Sequence, residues 1–142
     1  MDIGLLRKSL VKAIESARRD AAERRGRSDE ANRRYERFLE DTATPVFRAM
    51  ATALRAEGLQ FDVITPSGGV RLGPERTRED GIELGLDATV DPPEPIVRVV
   101  RSRGSRVMQH ERPVAGPVRL EGLTEDHVAT MLLDELRPWI ER

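Results

Sequence analysis

The first forty residues place apolar and charged side chains at helical spacing. Residues 2–40 contain no proline and are rich in alanine, arginine, glutamate and leucine, which are all good helix formers. Five times an acidic residue stands four positions before an arginine, which stabilises a helix by roughly 0.2–0.5 kcal/mol per pair. These pairs are Glu15/Arg19, Asp20/Arg24, Glu23/Arg27, Asp29/Arg33 and Glu30/Arg34. The pattern predicts a long helix over residues 2–40.

Gly26 is the position at which this helix could break. A glycine inside a helix costs about 1 kcal/mol relative to alanine, whereas the five charge pairs together contribute about 1–2.5 kcal/mol. In the alternative, Gly26 ends a first helix and Ser28 caps a second one. The energies favour a continuous helix, roughly 58 Å long. A domain built from the other hundred residues has a radius of gyration near 13 Å, so the helix is expected to protrude.

A heptad frame along this helix predicts an interface. Steps of four and three residues from Ile3 give twelve positions, of which eight are apolar. An antiparallel pair of helices, with a two-fold axis near residue 20 or 21, would bring the two apolar ends together. The predicted interface residues are Ile3, Leu10, Ile14, Ala17, Ala21, Ala31, Tyr35 and Phe38. In the alternative, both apolar ends lie on the parent domain and the middle is solvated.

Residues 41–142 are predicted to form a compact domain that begins and ends with a helix. The first helix starts at the N-cap Thr44 and ends at Gly58, and its apolar stripe faces a core. The last helix starts at the N-cap Thr124, and Pro138 should kink or restart its final turn.

Between these helices the apolar period changes to two, which indicates β-strands. Strands are expected at 59–65, 70–72, 82–86, 96–102 and 106–112, with a possible short edge strand at 118–120. The proline-rich run 91–95 is expected to stay outside the ladder. The element order predicts an α+β fold: a long N-terminal helix, a second helix, an antiparallel sheet of four to five strands with helices on one face, and a C-terminal helix.

Composition limits the choice of protein class. The 142 residues include 24 basic and 25 acidic ones, with 38% apolar and 35% charged, which suits one polar globular domain. The chain has no cysteine, no uncharged run long enough to span a membrane, and no apolar leader at its start. We therefore expect a cytoplasmic protein with no membrane partner.

No motif for catalysis, a cofactor or a metal ion emerges from the sequence. The two histidines, His110 and His127, lack the spacing of a zinc site, and Gly68-Gly69 leads into a strand instead of a phosphate-binding helix. Carboxylates from Glu75 to Glu83 could assist acid–base chemistry, but nearby arginines favour a solvated loop. We expect no cofactor, and the sequence favours a non-catalytic protein over a small enzyme, whose pocket would have to gather acidic residues or His110 from separate strands.

The hairpin 96–112 carries the candidate anion site. A three-residue turn at 103–105 would pair Ser102 with Arg106, and strand alternation would then bring four cationic side chains onto one face. These are Arg98, Arg106, His110 and Arg112. Their partners could be acidic residues of the same chain, an acidic protein, or a phosphate group. The hairpin contains no aromatic residue, so base stacking is not expected.

Two functions follow from these patterns. The first is a non-catalytic interaction or assembly module that acts through its N-terminal helix, as a homodimer or by docking another protein. The alternative is an anion-binding or nucleic-acid-binding protein that uses the basic hairpin.

Overall fold

A computed structural model describes residues 1–141 of the chain. An N-terminal helical run precedes a five-stranded antiparallel sheet, whose strands pair in chain order, and a last helix follows. The predicted α+β fold is confirmed. The elements are α1 (Ile3–Phe38), a π-helical segment (Leu39–Ala43), α2 (Thr44–Ala56), β1 (Phe61–Ile64), β2 (Val70–Pro74), β3 (Gly81–Asp87), β4 (Glu94–Arg103), β5 (Arg106–Arg112), a 3-10 turn (Leu120–Gly122) and α3 (Glu125–Ile140).

Helix α1 is continuous, as the charge pairs predict. Its N-cap is Asp2, whose Oδ1 accepts hydrogen bonds from the amides of Gly4 and Leu5 at 2.9 and 3.3 Å. Gly26 lies within the helix. The alternative break, with Ser28 as a second N-cap, does not occur.

The π-helical segment joins α1 to α2 without a break in the helical backbone. Along this run the buried residues are three or four positions apart, except for one step of five from Phe38 to Ala43. One π turn absorbs the additional residue and keeps both buried stripes on the same side. Thr44 is therefore not an N-cap, because the chain enters α2 already helical, with Thr44 at φ −59° and ψ −44°.

The core lies between the helices and one face of the sheet. Alternate residues of the three central strands are buried, among them Leu72, Ile82 and Val97. Helices α2 and α3 supply the facing side chains, including Phe47 and Leu132. The rings of Phe61 and Trp139 meet edge to face, with centroids 6.2 Å apart. The opposite face of the sheet carries no helix among residues 1–141.

Three local predictions differ from the structure. Pro95 pairs with Leu86, because a proline is tolerated at the start of a strand, where its missing N–H costs little. Residues 118–120 form no strand, and Leu120–Gly122 make a 3-10 turn instead. Pro138 lies inside α3, which continues to Ile140. Pro138 and Asp134, whose carbonyl oxygen would accept the missing bond, are both exposed, so water can replace that hydrogen bond.

Tyr35 fastens α1 to the sheet. Its side chain is only 2% exposed, and its hydroxyl donates a hydrogen bond of 2.6 Å to the carbonyl oxygen of Gly68 in the β1–β2 turn. Burial raises the pKa of Tyr35 well above its ordinary value, and the negative charge of Glu83 raises it further. The helix therefore leaves the domain at a defined point and in a defined direction.

The raised pKa predicts a loss of stability in alkali. The unfolded tyrosine ionises near pH 10, so the stabilisation is complete below that pH and is lost as the pH rises towards the folded-state pKa. Tyr35 is the only tyrosine, and a titration of tyrosinate absorbance should show it protonated well above pH 10. Tyr35→Phe should lower the free energy of unfolding by about 1 kcal/mol at neutral pH. A tyrosine that titrates near pH 10 in the folded protein would contradict the burial.

Continuity through Gly26 predicts that Gly26→Ala stabilises the protein. A Cβ atom there would meet nothing within 4 Å, so the helix should gain up to about 1 kcal/mol, visible as increased helicity and a higher urea midpoint. Gly81→Ala is the contrasting control, because its Cβ would lie 2.7 Å from the carbonyl oxygen of Leu72. A destabilised Gly26→Ala variant would indicate a break in the helix.

Candidate interaction surfaces

The first twenty residues form a helical arm that is exposed along its whole length. Large apolar side chains on the arm are 40–75% exposed, apart from the terminal Met1, which is fully exposed. Half of the exposed large apolar residues within 1–141 belong to it: Met1, Ile3, Leu5, Leu6, Leu10, Val11 and Ile14. The arm thus presents apolar surface that the domain does not cover.

Five apolar residues of the arm form a stripe: Ile3, Leu6, Leu10, Ala13 and Ala17. This stripe lies on the same side of α1 as the residues that contact the domain. Eighteen residues make five whole turns of an α-helix, so residues that far apart point in the same direction. Four arm residues stand eighteen positions before four residues that are half-buried or buried on the domain side. The pairs are Ile3 and Ala21, Leu10 and Ser28, Ala13 and Ala31, and Ala17 and Tyr35.

The predicted interface divides into two parts. Ile3, Leu10, Ile14 and Ala17 are exposed, whereas Ala21 and Ala31 are half-buried. Tyr35 and Phe38 lie in the core, 2% and 7% exposed. The antiparallel pairing about residue 20 or 21 is therefore wrong, because its second half is occupied by the chain's own sheet. The boundary predicted at residue 40 also falls inside the packed body.

Leu6 and Ala13 belong to the stripe and were missed by the heptad frame. Stepping four residues from Ile3 leads to Arg7, whereas stepping three leads to Leu6, which is 56% exposed. The frame beginning with a step of three gives Ile3, Leu6, Leu10, Ala13 and Ala17, all apolar. Comparing both frames would have found this stripe.

The β4–β5 hairpin has a different register from the predicted one. Arg103 pairs directly with Arg106, so the turn has two residues, Gly104 and Ser105. Gly104 has φ 62°, which suits the first position of a type II′ turn. The Gly-Ser dipeptide between the strands was the signal for this turn.

The shift of one residue removes Arg98 from the predicted anion site. Arg98 now stands opposite Glu111 on the helix-free face, and the two side chains form an ion pair of 3.2 Å. A one-residue change of register moves a side chain to the other face of a strand. Arg106, His110 and Arg112 remain together on the helix side.

Carboxylates of α3 contact two of these three basic side chains. His110 Nε2 lies 2.9 Å from an oxygen of Glu135, and Arg112 lies 3.3 Å from the other oxygen. Asp134 is 3.8 Å from Arg112. The cluster joins the sheet edge to α3. His110 and Arg112 thus have acidic residues of the same chain as partners, which is one of the three possibilities expected from the sequence.

The cations at the hairpin tip lack such partners. No carboxylate of residues 1–141 lies within 4 Å of Arg101, Arg103 or Arg106, whereas both other arginines of the hairpin, Arg98 and Arg112, are paired in this way. The Arg101 guanidinium instead contacts the sulfur of Met108 at 3.6 Å. The correct register thus places three arginines on one face at the tip.

The carboxylates from Glu75 to Glu83 do not converge on one open site. Asp80 is buried, and its Oδ1 accepts hydrogen bonds from the amide and hydroxyl of Ser102 at 2.9 and 2.8 Å. Glu75 and Glu79 are exposed on the preceding loop. Asp80 therefore secures the loop to β4 and is not available as an open acid or base.

Other chemical features are also sparse within residues 1–141. His127 completes a capping box with Thr124 at the start of α3. No group of three or more histidine, aspartate or glutamate side chains in this range is arranged to hold a metal ion. None of the helices in the same range is both long and apolar enough to cross a membrane.

The fold and its surfaces define an α+β domain with a projecting helical arm. No protein-family model, no curated protein and no solved structure matches this chain. Its function must therefore be argued from its own surfaces.

The Glu135 cluster predicts unequal costs for two substitutions. The Glu135 side chain is 14% exposed and contacts both His110 and Arg112, so Glu135→Ala should lower the free energy of unfolding by about 1 kcal/mol. Glu111→Ala breaks only the exposed pair with Arg98 and should cost less than about 0.5 kcal/mol. Urea denaturation measures both. Equal losses would show that the α3 cluster contributes no more than a surface pair.

Proposed function

We propose that this protein is a non-catalytic assembly module that forms a homodimer through its helical arm. The observation that carries the proposal is the apolar stripe of the arm, whose residues are all left exposed by the described part of the chain, residues 1–141. Such a stripe gains stability only when another apolar surface covers it. The other copy of the chain is the partner that the geometry favours.

The position of the domain excludes a parallel pair. From Ala21 onward, the domain occupies the side of α1 that the stripe faces. Two parallel helices with facing stripes would therefore force both domains into the same space. In an antiparallel pair, the domain of each copy begins near the N-terminus of the other. Residues 3–20 of the two arms then lie alongside each other.

Side-chain sizes along the stripe favour a particular register. With the two-fold axis between residues 11 and 12, Leu6 of one copy lies level with Ala17 of the other, and Leu10 lies level with Ala13. Both leucines thus face an alanine, which allows the helices to approach closely. This register is isologous, so every contact occurs twice.

Charges on the arm are compatible with this contact. The arm's basic residues outnumber its acidic ones, but Lys8, Lys12 and Arg19 lie on the face opposite the stripe by helical periodicity. Ser9 and Ser16 flank one side of the stripe, and Arg7 and Arg18 flank the other. The repulsion between two copies is thus carried by exposed side chains and is weakened by salt.

The expected affinity is moderate. Covering Ile3, Leu6, Leu10 and Ile14 in both copies contributes on the order of 10 kcal/mol, since each side chain is already partly covered by its own helix. The loss of free motion on association cancels about 4 kcal/mol or more of this gain. We therefore expect a dissociation constant on the order of tens of micromolar.

Adjacent leucines provide a matched test of the interface. Leu6 lies on the stripe and Leu5 lies off it, yet they are similarly exposed, at 56% and 62%. Leu6→Glu should convert the dimer to a monomer in sedimentation equilibrium, because it buries a charge against the partner. Leu5→Glu should leave the dimer intact. A wild-type protein that stays monomeric at about 100 µM would overturn the proposal.

The absence of native cysteine permits a test of orientation. Leu6→Cys and Ala17→Cys proteins, each oxidised alone, should form no disulfide, because identical positions lie about 16 Å apart along the antiparallel axis. Mixing the two variants should give a cross-linked heterodimer. Cross-linking of either variant alone would show that the partners are parallel or differently registered.

A further inference from the structure

The tip of the β4–β5 hairpin is a short two-stranded ribbon that extends beyond the rest of the sheet. The last pair between β3 and β4 joins Gly81 to Val100. Beyond it, three residue pairs connect β4 only to β5, ending at Arg103 and Arg106. The residues of this ribbon are exposed or half-buried, so its surface is open to a partner.

The ribbon concentrates positive charge. Residues 95–110 contain four arginines and no acidic residue. Arg103 and Arg106 face each other directly across the strands, and Arg101 stands two positions before Arg103 on the same face. Like charges directly opposed on a sheet are destabilising. An anion placed between them would relieve this repulsion.

The nearby carboxylates leave the patch uncompensated. The Asp80 carboxylate is only 4% exposed and is held by Ser102. Glu141 lines a concavity of about 420 Å³ together with Arg101 and Arg103, but no ion pair within 4 Å joins it to them. Within residues 1–141, the three guanidinium groups thus remain available to an external anion.

We propose that Arg101, Arg103 and Arg106 bind the phosphate groups of nucleic acid, without sequence specificity. The planar fork of arginine matches the geometry of phosphate oxygens. A two-stranded ribbon is narrow enough to enter the major groove of duplex DNA. The ribbon carries no aromatic side chain, so it contacts the backbone and does not stack on bases.

A fluorescent DNA duplex of about 12 base pairs tests this site by anisotropy at several salt concentrations. Three phosphate contacts give a slope of log affinity against log salt near −2.7. Affinity should therefore fall about fortyfold between 50 and 200 mM salt. The double variant Arg103→Gln/Arg106→Gln should bind more weakly, with a slope near −0.9.

Folding and bulk charge are controlled separately. Removing the opposed arginines should leave the melting temperature unchanged or raise it, so weaker binding cannot arise from unfolding. Arg76→Gln/Arg78→Gln changes the net charge equally on an exposed loop outside the ribbon and should bind DNA as the native chain does. Sedimentation of the same samples shows whether the arm's dimer persists, which keeps this test separate from the proposed assembly.

Three outcomes would overturn the site. The first is that the protein does not bind DNA at 50 mM salt and about 100 µM protein. The second is that the Arg76/Arg78 control loses as much affinity as the Arg103/Arg106 variant. The third is that polyglutamate binds as strongly as DNA. The last result would indicate an acidic protein partner instead. DNA binding that is lost only in the Arg103/Arg106 variant, with the expected change of slope, supports the proposal.

Discussion

The attachment of α1 to the sheet determines which surfaces this protein leaves free. Tyr35 and Phe38 enter the core, and the hydroxyl of Tyr35 donates a hydrogen bond to Gly68. Because the helix is continuous, this attachment fixes the direction of every side chain before it. The apolar stripe of the arm therefore points to the side on which the domain sits, and the domain's position limits how another helix can cover it.

The same attachment explains the π-helical segment. The helix has to deliver Phe38 and Ala43, five residues apart, to one core. A regular helix would turn one of them away from the sheet. The π turn keeps the arm, the anchor and α2 in a single rigid element. An interface formed at one end of this element would thus set the spacing between two domains.

Much of the fold could be predicted from local patterns, whereas the candidate sites depended on choices between neighbouring registers. The alternation of Ile82, Leu84 and Leu86 and the N-cap Thr124 specify their elements directly. The face predicted for Arg98 is wrong, because the turn of the hairpin has two residues and not the three expected, which places Arg98 on the other side of the sheet. The interface predicted along α1 was wrong for another reason, because sequence periodicity does not show whether Tyr35 faces a partner or its own sheet.

The antiparallel arm is the central claim, and a distance between two spin labels tests it most directly. Glu23 is exposed and the chain has no native cysteine, so Glu23→Cys gives one label per copy. An axis between residues 11 and 12 predicts a separation of about 35–40 Å by pulsed electron resonance. A separation of about 10–20 Å would indicate parallel helices, and no dipolar coupling at about 100 µM protein would contradict the dimer.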